Sequence, residues 1–268
     1  MIMAESVEAE GSGDLWDPAK GLDPLGSLEA TLARWSESRD AGTLEVAAEG
    51  MQHILRLERQ RGKTGLPAWA AFELGLVRAK QNEMEQAATA WGHAMATGDR
   101  EFGPRAACFL AILRLQQGDL TGAKEAWRFA LSAGNERYRP AALLGLGSVA
   151  EQQSEVAEAL DLWQRAIDTG DPEFGARAGI LLACRRLERG EHREAESTFR
   201  RVLEVRNEEF RALALLGIGV VGYEQGDYEL AVEHLQLAAE CADARLLPMI
   251  EEYLAEAERR VFEEPEEP

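Results

Sequence analysis

Apolar residues recur at helical spacing along this chain from about residue 68 to residue 260. Between 120 and 131, Leu120, Ala123, Trp127, Ala130 and Leu131 fall three and four residues apart, or adjacent on the same side. That spacing gathers them on one face of a helix. No stretch alternates apolar and polar residues with the period of two that a half-buried strand requires. The pattern predicts an all-α chain.

The helical pattern itself repeats. Asp99, Asn135, Asp171, Asn207 and Asp243 stand 36 residues apart. Three residues further on come Phe102, Tyr138, Phe174, Phe210 and Leu246. Ala87, Ala123, Ala159, Ala195 and Ala231 keep the same step, and so do Trp91, Trp127, Trp163, Phe199 and Leu235. Asn82, Gly118, Ser154, Gly190 and Gly226 mark a turn in each unit. Each unit reads as two helices: in the second, one runs from Pro104 to Gln117, Gly118-Asp119 breaks it, and the Leu120 helix follows. Pro104 and Pro140 suit a first helical turn, where no N–H is needed. A single hairpin cannot bury its own apolar face, whereas several stacked hairpins share a continuous core. Small residues at 70, 106, 142, 178 and 214 allow helices to approach closely.

These columns resemble the tetratricopeptide repeat. The Leu-Gly pair of its first helix appears as Leu74-Gly75, Leu110-Ala111, Leu146-Gly147, Leu182-Ala183 and Ile218-Gly219. The Ala, aromatic, Ala signature of its second helix appears, for example, as Ala159, Trp163 and Ala166. Arg78, Arg114, Ala150, Arg186 and Gly222 stand where the family has a tyrosine, and the period is longer than the family's usual one. The resemblance covers residues 68 to about 260 and implies a right-handed α-solenoid of stacked antiparallel helical hairpins.

The expected organisation is an acidic leader at 1–24, a degenerate leading hairpin and linker at 25–66, five repeats at 67–247, a capping helix at 248–261 and an acidic tail at 262–268. The leader is acidic and unpatterned, the composition of a segment without its own core.

Charge narrows the function. The 268 residues are 46% apolar and carry 48 acidic against 29 basic side chains, a net of −19. A nucleic-acid binder needs a basic face to displace counterions from phosphate, and anionic membranes attract basic segments; neither partner is expected. No run approaches the roughly 18 apolar residues of a spanning helix. The N-terminus has acids where a signal peptide has a basic start, and the three cysteines, Cys108, Cys184 and Cys241, show no metal-ligand spacing. A cytoplasmic location is expected.

Two glycine runs imitate a dinucleotide fingerprint: Gly217, Gly219 and Gly222, and Gly145 and Gly147 with Ala150. That motif requires a strand before it and a glycine loop opening a helix; here both runs fall inside first helices, in close-packing columns. Gly62-Lys63-Thr64 lacks the leading glycine of a phosphate loop, Leu57 standing in its place. His53, His93, His192 and His234 are scattered without paired spacing and read as surface or interface residues. No cofactor, metal or catalytic constellation is expected.

The resemblance implies a concave face lined by one stripe of the first helices. Mapped here, it contains Trp69, Phe72, Leu76, Arg105, Cys108, Ile112, Leu144, Ser148, Arg177, Ile180, Cys184, Leu216 and Val220. The Lys and Asn of the carboxylate-clamping version are absent. First helices apolar nearly all round demand burial on all sides, so either tight packing between units or a bound segment covers them. The first-helix windows hold eight basic against four acidic residues. Their arginines either line a ligand with acidic character or lay their stems over apolar surface and pair with carboxylates. The expected function is a non-enzymatic scaffold holding a protein partner's peptide or helix; the alternative is a regulatory subunit acting through its convex face. A candidate self-docking segment, Leu15, Trp16, Leu22 and Leu25, lies in the leader.

Overall fold

A computed structural model of the chain describes residues 67–205 and 207–263, except for the side chains of Glu209 and Glu263. The expected leader, leading hairpin and last residues of the tail lie outside that range. The described residues form eleven α-helices and no strand. In order they are α1 (Ala68–Lys80), α2 (Met84–Ala96), α3 (Phe102–Gln116), α4 (Leu120–Ser132), α5 (Arg139–Gln152), α6 (Val156–Ile167), α7 (Phe174–Glu188), α8 (His192–Glu204), α9 (Glu208–Gln225), α10 (Tyr228–Cys241) and α11 (Leu247–Glu263). The chain divides at residue 170 into two compact units. Residues 67–169 hold three hairpins; residues 170–263 hold two hairpins and α11. Within each unit every helix packs on the next, and successive first helices also touch: α1 on α3 and α3 on α5, then α7 on α9 and α9 on α11. This is the all-α stack of antiparallel hairpins that the period of 36 predicts.

One turn chemistry closes all five first helices. Asn82, Gly118, Ser154, Gly190 and Gly226 adopt left-handed φ values of 61 to 77°. The next residue's N–H then reaches back five positions: Glu83 to the Arg78 carbonyl, Asp119 to Arg114, Glu155 to Ala150, Glu191 to Arg186 and Asp227 to Gly222, all at 2.8–2.9 Å. These bonds satisfy carbonyls that a helix end leaves without partners. The same acidic residue opens the second helix. As the short Asp it caps it, Asp119 accepting from the Gly122 N–H and Asp227 from the Leu230 N–H. As the longer Glu it forms an ion pair instead: Glu83 with Arg78, Glu155 with Lys124, and Glu191 with Arg189.

The Asp/Asn column at unit boundaries folds the chain into the next first helix. Asp99 Oδ1 accepts from the N–H groups of Glu101 and Phe102, and Asp171 Oδ1 from those of Glu173 and Phe174. Asparagine adds a donor that aspartate lacks. Asn135 Nδ2 donates to the Arg100 carbonyl and Asn207 Nδ2 to the Pro172 carbonyl, each bridging to the boundary one repeat earlier.

The core is built by wedging a second-helix side chain against a glycine of a first helix. A Cβ added at Gly75 would lie 2.2 Å from Trp91, at Gly147 2.5 Å from Trp163, and at Gly219 2.6 Å from Leu235. These notches belong to the same hairpin as the ring or branch they receive. A Cβ at Gly145 would lie 2.2 Å from Trp127, and at Gly217 2.3 Å from Phe199. These two notches belong to the next hairpin. Each wedge thus has one glycine, taken alternately from its own hairpin and from the following one. Where the next first helix offers Phe109 instead, that ring packs on Trp91 with centroids 5.6 Å apart. The alternation makes the structural period two repeats, matching the alternation of Asp and Asn at the boundaries.

Candidate functional site

The first helices are buried far more completely than the second. Every residue of α5 from Pro140 to Ala150 is buried, whereas α6 buries only one face, through Ala159, Leu162, Trp163, Ala166 and Ile167. The glycines that imitate a nucleotide fingerprint lie inside α5 and α9 and receive Trp127, Trp163, Phe199 and Leu235, so close packing accounts for them.

The expected stripe is interior rather than an open lining. In residues 67–169, Phe72, Leu76, Cys108, Ile112, Leu144 and Ser148 are all buried. Phe72 packs edge-on against Phe109 at 5.4 Å, and its carbonyl accepts the Trp91 Nε1–H at 3.2 Å. The Ser148 hydroxyl donates to the Leu144 carbonyl within the helix. Burial pushes the Cys108 thiol up to about 12, which leaves it protonated and inert. In residues 170–263 the stripe is inter-helix core. Ile180 and Cys184 pack with Phe199, Phe210 and Ile218, while Leu216 and Val220 pack with Leu235, Ile250 and Tyr253. A straight reading of the repeat places these four on a binding face; the neighbouring hairpin and α11 enclose them instead.

The arginines divide in the same way. Arg177 is buried, with its guanidinium 5.5 Å from the Phe210 ring centre. Arg185 pairs with Glu188 at 2.5 Å, Arg186 donates to the Thr198 hydroxyl at 2.6 Å, and Arg189 pairs with Glu191 at 2.7 Å. The first pair lies within α7, the Arg186 bond ties α7 to α8, and the last pair lies at the turn between them. Arg105 is different: it stacks over Phe72 at 4.6 Å, and its charge helps to hold down the Glu101 carboxyl beside it. One repeat earlier, at the equivalent position on α1, Trp69 is 45% exposed. The structure therefore leaves, at the margin of the buried stripe, an exposed indole and a half-buried guanidinium on successive first helices. Leu15, Trp16, Leu22 and Leu25 lie outside the described residues.

Sequence reasoning missed two features of the second unit. A concavity of about 320 Å³ is lined by Leu203, Asn207, Glu208, Arg211 and Leu215; Arg211 there lies 3.8 Å from Glu208, so its charges already offset each other. On α10, Leu237 is exposed between acidic residues. Asn207 apart, which stands in the boundary column, the residues of neither feature recur as a type at the period of 36, so that period does not signal them. Among the described residues no group of His, Cys, Asp and Glu is disposed to hold a metal ion, and no helix is long and apolar enough to cross a membrane.

Hairpins repeated at a fixed period and packed on one another within each unit define a helical-repeat solenoid. Residues 110–173 and 180–245 match the family model described as tetratricopeptide repeat, so those residues carry repeats of that family. No curated protein matches the sequence. Among solved structures, YrrB is 22% identical, with 76% of this chain and 99% of that one covered at a TM-score of 0.55. The apo form of RapI is 17% identical, with 88% and 72% covered at 0.61. PilF of Pseudomonas aeruginosa is 21% identical, with 72% and 90% covered at 0.53. At these identities the likeness is one of fold.

Proposed function

We propose that this protein is a non-enzymatic scaffold that binds a protein partner through the first-helix face of residues 67–169. The observation that carries this reading is the pairing of exposed Trp69 with Arg105 over Phe72, on consecutive helices and beside a buried apolar stripe. Tryptophan and arginine are the side chains that most often dominate binding energy at protein interfaces. Held at repeat spacing, roughly 10 Å apart, they suit an extended or helical segment that combines apolar and acidic residues. One structure of similar fold, YrrB, is described as a TPR protein with an unusual peptide-binding site, which supports peptide recognition as a use to which this fold is put.

The second reading, an accessory subunit acting through its convex face, has exposed Leu237 in its favour. Affinity capture with quantitative mass spectrometry separates the two. Wild type is run beside Trp69→Ala, Arg105→Glu and Leu237→Ala, with the fold of each variant checked by far-UV circular dichroism. A partner lost from the first two variants and kept by the third supports the concave reading. A partner lost only from Leu237→Ala overturns it in favour of the convex face.

A further inference from the structure

We propose that the concavity at the start of α9 binds a free aliphatic amino acid, held as a zwitterion at the mouth with its side chain inward. The site lies wholly within residues 170–263 and shares no residue with the Trp69–Arg105 face, so it goes beyond the scaffold reading and stands or falls without it. Its floor and its mouth differ in chemistry. Glu208, Arg211 and Leu215 fall three and four residues apart on α9 and so form one stripe of that helix. Leu215 is buried and Leu203, at the end of α8, is half-buried, whereas Glu208 and Arg211 are exposed. The volume of about 320 Å³ stands at the small end of the roughly 300–1,000 Å³ usual for small-molecule sites, which fits an occupant the size of one amino acid. The charged pair selects its head group. Arg211 and Glu208 stand 3.8 Å apart, wider than a hydrogen bond. The guanidinium keeps donors for a carboxylate, and Glu208 keeps acceptor oxygens for an ammonium. A ligand of one sign meets one attracting and one repelling group; a zwitterion meets two attracting ones.

The same constellation occurs twice in the chain. Leu131, Asn135, Glu136, Arg139 and Leu143 stand 72 residues before Leu203, Asn207, Glu208, Arg211 and Leu215. The other repeats do not share it: Pro172 and Gly175, or Arg100 and Gly103, take the charged positions. The asparagines bridge unit boundaries, and Leu143 and Leu215 are buried. Exposed ion pairs contribute little to stability, so packing leaves the joint recurrence of the glutamate and arginine unexplained, and ligand binding accounts for it. In the earlier copy Arg139 donates to both carboxylate oxygens of Glu136 at 3.2–3.3 Å, which shuts the mouth. The open copy on α9 is therefore the site.

The test titrates leucine into the full chain, followed by saturation-transfer NMR and by thermal shift. Three comparison compounds each lack one element: 3-methylbutylamine the carboxylate, 4-methylpentanoate the ammonium, and glycine the side chain. Leucine binds saturably, and each comparison compound binds at least about tenfold more weakly, the worth of one charge-assisted bond. Arg211→Gln and Glu208→Gln, both at exposed positions, weaken leucine by a similar factor, and Arg139→Gln leaves it unchanged. Cys241 reports the place of binding. Burial raises its thiol, while Arg211 lowers it and Glu208 raises it, so it stands beside the mouth, and leucine slows its alkylation. Absence of saturable leucine binding overturns the proposal, as does equal binding of either truncated analogue. Binding that ignores Arg211→Gln, that is lost in Arg139→Gln, or that leaves Cys241 alkylation unchanged places the ligand elsewhere and overturns it too.

Discussion

The glycine notches offer the sharpest test of the packing, because helix propensity and steric fit pull in opposite directions. Replacing Gly by Ala within a helix stabilises by about 0.5–1 kcal/mol through propensity alone. Gly92 in α2 measures that gain cleanly, since a Cβ there meets nothing within 4 Å. At Gly147 the same methyl lies 2.5 Å from Cδ1 and Nε1 of Trp163, whose side chain is buried and packed. Overpacking of that kind costs typically 1–3 kcal/mol. Gly92→Ala therefore raises the melting temperature, and Gly147→Ala falls below it by about 1–3 kcal/mol, or roughly 2–12 °C for a chain of this size. Thermal melts followed by far-UV circular dichroism read both. A second pair tests the alternation itself. Gly145→Ala closes the notch that Trp127 uses, and Ala111→Gly opens one at the equivalent place in its own hairpin. The double variant leaves propensity unchanged and recovers most of the loss of Gly145→Ala. If Gly147→Ala proves as stabilising as Gly92→Ala, or if the double variant is no better than Gly145→Ala, the wedge account is refuted.

Two further predictions concern the turns and the boundaries. Ser154 holds φ at 61° where three equivalent turns have glycine, so Ser154→Gly stabilises by about 1 kcal/mol in urea unfolding, and a loss of stability would show that its side chain has a use. The Tyr138 hydroxyl, 2.6 Å away, with help from Asn135 and Arg137, holds the Glu101 carboxyl below its ordinary value. Its contribution is complete above the usual carboxylate pKa of about 4.3 and is lost as pH falls through the lowered folded value. Glu101→Gln therefore flattens the acid limb of a stability profile measured from about pH 3 to 7, and an unchanged limb contradicts the assignment. Glu224, raised by burial despite His192 nearby, has the opposite sign: its burden grows as pH rises from the ordinary value to the folded one, and Glu224→Gln relieves it at neutral pH.

Most of the fold is legible in the sequence because it is periodic. The columns at 75, 91, 99 and 118 mark notch, wedge, boundary and turn, and the structure assigns each a packing or hydrogen-bonding cause. The alternation is harder to see. Gly145 and Gly147 stand in one helix and both read simply as small residues; only the geometry shows that one receives Trp127 and the other Trp163. Whether a stripe is exposed is less legible still. Helical spacing says that Ile180 and Leu216 share a register position, but not that the next hairpin and α11 close over them. Arginine roles depend on one specific neighbour each, such as Thr198 for Arg186, and a single sequence carries no signal for such a pair. Trp69 and Arg105 are legible as stripe members, but that Trp69 stays exposed while Arg105 stacks over Phe72 is not.

The central claim, partner recognition by the first-helix face of residues 67–169, is tested most directly by a hydrogen-exchange footprint. Amide exchange of the full chain is measured with and without the purified partner identified by capture. The account predicts added protection in α1 and α3, around Trp69 and Arg105, with α8 and α10 unchanged. Protection confined to the second helices, or centred on Leu237 in α10, would contradict it.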